Sequence, residues 1–269
     1  MALAQLVRHT SQGVTLLEDQ NHPYGVHLAF TERTGGCSKG WYESLNLGSR
    51  TGDDMAHVSE NRLRVLKAMG ADQLGSRLLV PHQVHGTSVV CVRSWSEQES
   101  ARIRRDIAQG CDAIICSVPD VAVMLAFADC VPLIFVARTA FAVAHSGWRG
   151  TRARIARVVL HKLCEQAHCG PQDVLVYVGP HIAAADYEVS SELIADFVTE
   201  FGDQVKMGTR NLNMYAAIRA TLLEDGVAPE HICNAGVSTY SHVDRFFSYR
   251  KEHGKCGRHA ACAYLEQPK

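Results

Sequence analysis

Asp129 to Gly150 reads DCVPLIFVARTAFAVAHSGWRG, and no other run constrains the fold as tightly. Val131 to Ala137 and Ala140 to Ala144 are short, apolar and partly β-branched or aromatic, as strands are. Arg138-Thr139 is the natural turn between them. A two-residue loop pairs His145 with Pro132. Cys130 then shares a face with His145, because side chains alternate with period two. Diagonal cross-strand neighbours come within reach of each other. A thiol and an imidazole therefore converge at one sheet end, either as a Cys–His nucleophile pair or as two metal ligands. The register decides this: a slip of one residue puts the two on opposite faces. The bland alternative is that Cys130 is simply a small buried hydrophobe.

Charge is balanced, with 27 basic and 28 acidic residues, so nothing steers the chain broadly towards nucleic acid or membrane. No apolar run is long enough to span a bilayer. The start, MALAQLVRHTSQG, does not read as a signal peptide, so a cytoplasmic protein is expected. Ten cysteines are present but no CxxC pair, against a zinc ribbon, a common iron–sulfur spacing or a thioredoxin-type motif. They read as mostly reduced thiols. Cys111 and Cys116 read as packed strand residues.

Gly25 to Thr31 reads as a strand that runs into TERTGGCSKGWYESLNLGSRTGD, a loop of a length that is usually functional. Met55 to Met69 has helical periodicity, with Val58, Leu63, Val65, Leu66 and Met69 as its stripe and Asp53 or Asp54 as N-cap. Strand-like runs flank HQVHG within Leu78 to Val92. AIICSV and VAVMLAFA are two more, with Pro119-Asp120 as the turn. Thr151 to His168 is predicted as one helix stopped by Gly170-Pro171. VLVYVGP (174–180) is a strand, Ser190 to Phe201 and Asn213 to Asp225 are helices, and the tail ends in a strand. Clustered strands without regular βαβ alternation predict an α+β fold.

HQVHG supplies a third candidate group. Gly86 permits a tight turn or close backbone approach beside His85. The odd spacing between His82 and His85 points them apart on extended chain, and His85, beside the glycine, is the one favoured for the site. A lone histidine is otherwise a surface or satisfied core residue.

TERTGGCSKGWYESLNLG, NRLRVL, HQVHGTSVV, DAIICSVPDVAVMLAFADCVPLIF, AVAHSGWRGT, VGPHIAAADYEV and FFSYRKEHGKCGR, in this order, resemble the multicopper polyphenol oxidase (laccase-domain) family. These YfiH-like proteins are also described as purine nucleoside phosphorylases. The resemblance covers about residues 25–265 and implies a single domain spanning 1–269. It implies a layered α/β sandwich with mixed sheets, similar to the catalytic domain of cytotoxic necrotising factor toxins rather than to cupredoxin-fold laccases.

Carried over residue by residue, the resemblance makes His85, Cys130 and His145 the ligands of one zinc per chain. Two imidazoles and a thiolate suit Zn²⁺, with Cu²⁺ as the alternative, and three ligands leave a position open. The activity implied is phosphorolysis of adenosine, inosine and methylthioadenosine, and deamination of adenosine, so the partners expected are a purine nucleoside and phosphate. Asp129 either orients a ligand or moves a proton, or else only caps a strand end. Arg149 is a candidate for phosphate, because Gly147 to Gly150 opens a helix. Arg62 and Arg258 are further candidates. Asn46 is a candidate for ribose, and Trp41 or Tyr42 for stacking on the base.

The chain also departs from the family pattern. Many members carry GPxIGxCCYEV where this one has GPHIAAADYEV, so two cysteines and a glycine are lost and His181 and Asp186 are gained. Cys256, His259 and Cys262 are additions in the tail, near His242 and His253, and offer ligands for further metal. Three rival readings remain. A copper-dependent phenol oxidase would use the His₂Cys set, which resembles a blue-copper centre. A metal-free Cys–His hydrolase acting on peptidoglycan precursors would use Cys130 as nucleophile and His145 as base. A binding module without activity ranks last. The oligomeric state is left open.

Overall fold

A computed structural model describes residues 4–267. Two six-stranded mixed sheets carry the fold. The first runs in the order β1 (Val7–Ser11), β2 (Val14–Glu18), β3 (Val26–Thr31), β14 (His259–Leu265), β7 (Ala122–Phe127), β4 (Leu78–Leu79). The second runs β13 (Ile232–Asn234), β10 (Leu175–Val178), β8 (Val131–Ala137), β9 (Ala140–Ser146), β6 (Ala113–Cys116), β5 (Val89–Val92). A small pair, β11 (Lys206–Met207) and β12 (Asn211–Leu212), stands apart.

Period-two alternation sorts the core into layers. Leu28, Phe30, Leu125 and Ala263 from the first sheet meet Ile134, Val136, Val143 and Tyr177 from the second in a shared apolar layer. The opposite face of the second sheet, with Leu133, Phe135 and Ala142, is covered by α4 (Ile155–Ala167), α5 (Ser191–Phe201) and α6 (Met214–Glu224). The outer face of the first sheet packs on α1 (Met55–Ala68) through Val65 and Leu66. Strands buried on both faces read as near-continuous apolar runs, as β8 and β9 do. The α+β expectation and its layered sandwich hold.

The β8–β9 hairpin has the two-residue loop and the predicted register, with Pro132 opposite His145 and Ala137 opposite Ala140. Asp54 is the N-cap of α1, accepting the Ala56 amide at 2.8 Å. The expected stripe of α1 needs one change: Leu63 is exposed, and Asn61 takes an inward position.

Two expectations fail. The helix over 151–168 is two helices, α3 (Trp148–Arg152) and α4, because Arg154 takes a left-handed φ of 56°. Its guanidinium there reaches Glu200 and Glu224, both at 2.7 Å, so tertiary ion pairs accompany the break. β6 and β7 are not partners across Pro119-Asp120. β6 pairs with β5 and β9, whereas β7 pairs with β14 and β4 in the other sheet. The chain thus passes between sheets here, and again at 80–88 and 128–130. The last two crossings build the site. One helix, α2 (Glu97–Gln109), was not foreseen. Its stripe is thin, with Ile103 and Ile107 buried, but Ser96 and Glu99 formed a legible start signal: the Ser96 hydroxyl accepts the Glu99 amide at 3.1 Å.

Candidate functional site

Three chain segments meet where the shared layer opens. Cys130 ends the crossing from β7 to β8. His145 lies near the end of β9, on the face of β9 that looks into the layer. His85 lies on the crossing from β4 to β5. Their ligand atoms all fall within 4.8 Å of one another. The rings of His85 and His145 stand edge to face, 4.7 Å apart at an interplanar angle of 86°. His145 is buried, Cys130 half-buried and His85 exposed. Two imidazoles and a thiol at this spacing fit a transition metal.

The crossing at 80–88 is irregular, so the strand argument that separated His82 from His85 does not apply, and both line the cavity. Gln83 clamps this crossing to β7, donating to the Ala126 carbonyl at 2.8 Å and accepting its amide at 3.0 Å. His85 has a φ of 61°, the left-handed conformation uncommon outside glycine.

Asp112, not singled out from the sequence, lies beneath both histidines and is fully buried. Its carboxylate accepts the Nδ1 hydrogen of His145 at 2.8 Å and the backbone amides of His85 at 2.9 Å and Gly86 at 2.6 Å. Burial works against ionisation of Asp112, but the His145 contact and these amides outweigh it and hold the carboxyl below its usual range. The available signal was a lone carboxylate opening the apolar run AIIC, since a buried acid needs partners.

Burial also opposes the Cys130 thiolate. The charge of His145 and hydrogen bonds from both imidazoles outweigh it and bring the thiol down to about 6. The same thiolate, with Asp112, raises His145 against its own burial. Cys111, Cys116 and Cys262 are buried without such partners and are pushed up to about 12. Metal-free protein should therefore react with iodoacetamide at Cys130 at pH 7 while these three stay unmodified. The Cys130 rate should climb through about pH 6 and level off above it, and zinc should suppress it. Peptide mapping reads this directly, and a Cys130 rate still rising steeply above pH 8 would contradict it.

The triad opens into a cavity of about 520 Å³. Gly147 closes the opposite side. A Cβ there would lie 3.0 Å from Cδ2 of His85, 3.2 Å from Sγ of Cys130 and 3.7 Å from Cε1 of His145. A further ligand has no room on that side, so the triad is open towards the cavity.

Arg62 and Arg258 line that cavity. Arg62 donates from Nε and Nη2 to the Leu47 carbonyl at 3.1 and 2.8 Å. Arg258 donates from Nη1 to the carbonyls of Cys256 and Gly257 at 2.9 and 2.8 Å. Among the described residues neither meets a carboxylate. Arg50 and Arg250, not anticipated, also line the cavity, as do Tyr187 and Tyr249. Asp129 lines it too, but its oxygens accept the Thr239 hydroxyl and the Arg250 amide, both at 2.7 Å. It ties loops together.

Other candidates fall elsewhere. Asn46 is fully buried behind the cavity wall. Its amide nitrogen serves Gly48, Thr51 and Asp53, and its oxygen accepts the amides of Gly48 and Arg258. Asn61 of α1 pins the same loop through the Cys37 amide at 2.8 Å and the Asn46 carbonyl at 2.9 Å. The long loop packs the wall. Arg149 is exposed over the ring of Trp148, 4.5 Å from its centroid, and does not line the cavity. Trp41 is exposed and Tyr42 bonds the Thr51 carbonyl, and neither lines the cavity. His181 bonds the Gly179 carbonyl, and Asp186 accepts two serine hydroxyls. Among the described residues no second group of three metal ligands forms.

The layered two-sheet fold and its His–Cys–His pocket define the class: the chain belongs to the family described as multi-copper polyphenol oxidoreductase laccase, matched over residues 27–266. It is 31% identical over 237 residues to a purine nucleoside phosphorylase of Bacteroides thetaiotaomicron, covering 85% of this chain and 87% of that one. It is 34% identical over 256 residues to a purine nucleoside phosphorylase of Deinococcus radiodurans, covering 93% and 92%. The crystal structure of YlmD from Geobacillus stearothermophilus superposes with a TM-score of 0.85 at 28% identity, over 98% of this chain and 100% of that one. No helix among the described residues is long and apolar enough to cross a membrane.

Proposed function

We propose that this chain is a zinc-dependent enzyme of purine nucleosides. It cleaves adenosine, inosine and methylthioadenosine with inorganic phosphate, and deaminates adenosine with water. The observation that carries this reading is a three-ligand site opening into a cavity whose arginines lack carboxylate partners among the described residues. Such guanidiniums are free to take a dianion. In phosphorolysis the C1′–N9 bond breaks with its electron pair on the base, and a phosphate oxygen bonds C1′. Arg62 and Arg258 hold phosphate against C1′, and Tyr187 and Tyr249 flank the nucleoside. A bound zinc supplies Lewis acidity and acidifies water for deamination. The purine nucleoside phosphorylase names of the relatives support the substrate class.

The second reading is phenol oxidation with copper, favoured by the His₂Cys donor set and the family's description. It ranks lower because four-electron reduction of O₂ generally uses several coppers, and the described residues hold one ligand group.

Metal analysis and activity on one purified sample test both. We expect about one zinc per chain and release of hypoxanthine from inosine only when phosphate is present. Tightly bound copper, oxygen uptake on a phenol and no base release would replace the first reading with the second.

A further inference from the structure

We infer that Asp112 is the positioning residue of the metal centre, one carboxylate that sets both the ring of His145 and the turn that presents His85. The inference rests on the metal reading of the triad and is independent of the substrate. Asp112 is bound to both ligand-bearing segments by side chain and main chain. Its Oδ1 accepts from His145 Nδ1 at 2.8 Å and from the His85 amide at 2.9 Å, and its Oδ2 accepts from the Gly86 amide at 2.6 Å. Its carbonyl accepts the His145 amide at 2.7 Å, and its own amide donates to Ser88 at 2.9 Å, the far end of the His85 crossing.

Each contact has a consequence for the ligands. An imidazole that donates from Nδ1 to a carboxylate can bind a metal only through Nε2, once that nitrogen gives up its proton, so the orientation of the His145 ring and its ligating nitrogen are set before a metal arrives. His85 is exposed and left-handed, so packing does little to hold it. Two successive amides converging on one buried carboxylate do hold it. Cys130 comes from the other crossing and makes no such contact. Asp112 therefore controls two of the three ligands, and the thiolate is placed independently by β8.

A purely structural anchor would change stability and leave metal affinity among folded molecules alone. Asp112→Asn separates the two roles, because the amide keeps the size but turns an NH₂ towards a donor. Zinc affinity is measured on full-length protein by competition with a chromophoric chelator, beside the absorption spectrum of the Co²⁺ form and circular dichroism. The expected result is a folded variant whose zinc affinity falls roughly 10–100-fold, with a weakened Co²⁺ ligand-field band. Unchanged affinity and spectrum in a folded variant would overturn the inference. Should the variant fail to fold, ¹⁵N NMR of zinc-loaded wild type decides instead. A protonated Nδ1 and a metal-bound Nε2 on His145 support the inference, and metal on Nδ1 overturns it. Wild type that binds no zinc at all would overturn the metal reading itself, an outcome distinct from equal binding by both proteins.

Discussion

Cys130→Ser should empty the site of metal and abolish base release from inosine while leaving the fold intact. Sulfur to oxygen is a small change in size at a half-buried position, so packing barely alters. The chemistry changes far more. The Cys130 thiol is brought down to about 6 by His145 and His85 despite its burial, so a thiolate is ready at neutral pH. A serine hydroxyl does not ionise there and leaves two imidazoles as the only ligands. Losing a charged inner ligand costs more than losing a hydrogen-bond partner behind one, so zinc affinity should fall by more than about a hundredfold. Elemental analysis, thermal melts and hypoxanthine release on the same preparation check this. A Cys130→Ser protein with full activity would end both the zinc and the nucleophile proposals. A wild type that carries no metal but loses activity on substitution would favour the Cys–His hydrolase.

How far the sequence could be read depended on whether the deciding interaction was local. The β8–β9 register followed from a two-residue turn and period-two alternation, both contained in one run of chain, so Cys130 and His145 could be brought together on paper. His85 needed the resemblance, because nothing in HQVHG shows that its crossing returns to β9. The Asp54 cap was legible for the same local reason. What was missed depends on contacts far apart in sequence. Asp112 acts through partners 26 to 33 residues away. The break at Arg154 goes with acids 46 and 70 residues on. β6 and β7 look like a hairpin in isolation, and only their pairing with β9 and β14 sends them to different sheets. Asn46 was the opposite error. Its residue type suited a sugar contact, but burial had already committed its amide to the loop.

Gly147→Ala should weaken zinc binding through a single methyl group. Gly147 has a φ of −75°, an ordinary value for any residue, so alanine carries no backbone penalty and the effect is steric alone. The added Cβ would sit 3.0 Å from Cδ2 of His85 and 3.2 Å from Sγ of Cys130. Both are shorter than relaxed carbon–carbon or carbon–sulfur contacts, so something must give by a few tenths of an ångström. Cys130 directly precedes β8, and His145 is held by Asp112 at 2.8 Å. The exposed His85 ring is the one free to move, and moving it opens the ligand set. The expected loss of zinc affinity is again about 10–100-fold, whereas overpacking costs the metal-free fold only about 1–3 kcal/mol. Chelator competition measures the first and denaturant melts the second. Because Gly147 is not part of the cavity lining, the arginines proposed to hold phosphate are untouched. At saturating zinc the KM for phosphate should therefore stay at the wild-type value. A changed KM with normal zinc affinity would mean that Gly147 faces the substrate after all, and that the open position of the triad has been placed on the wrong side.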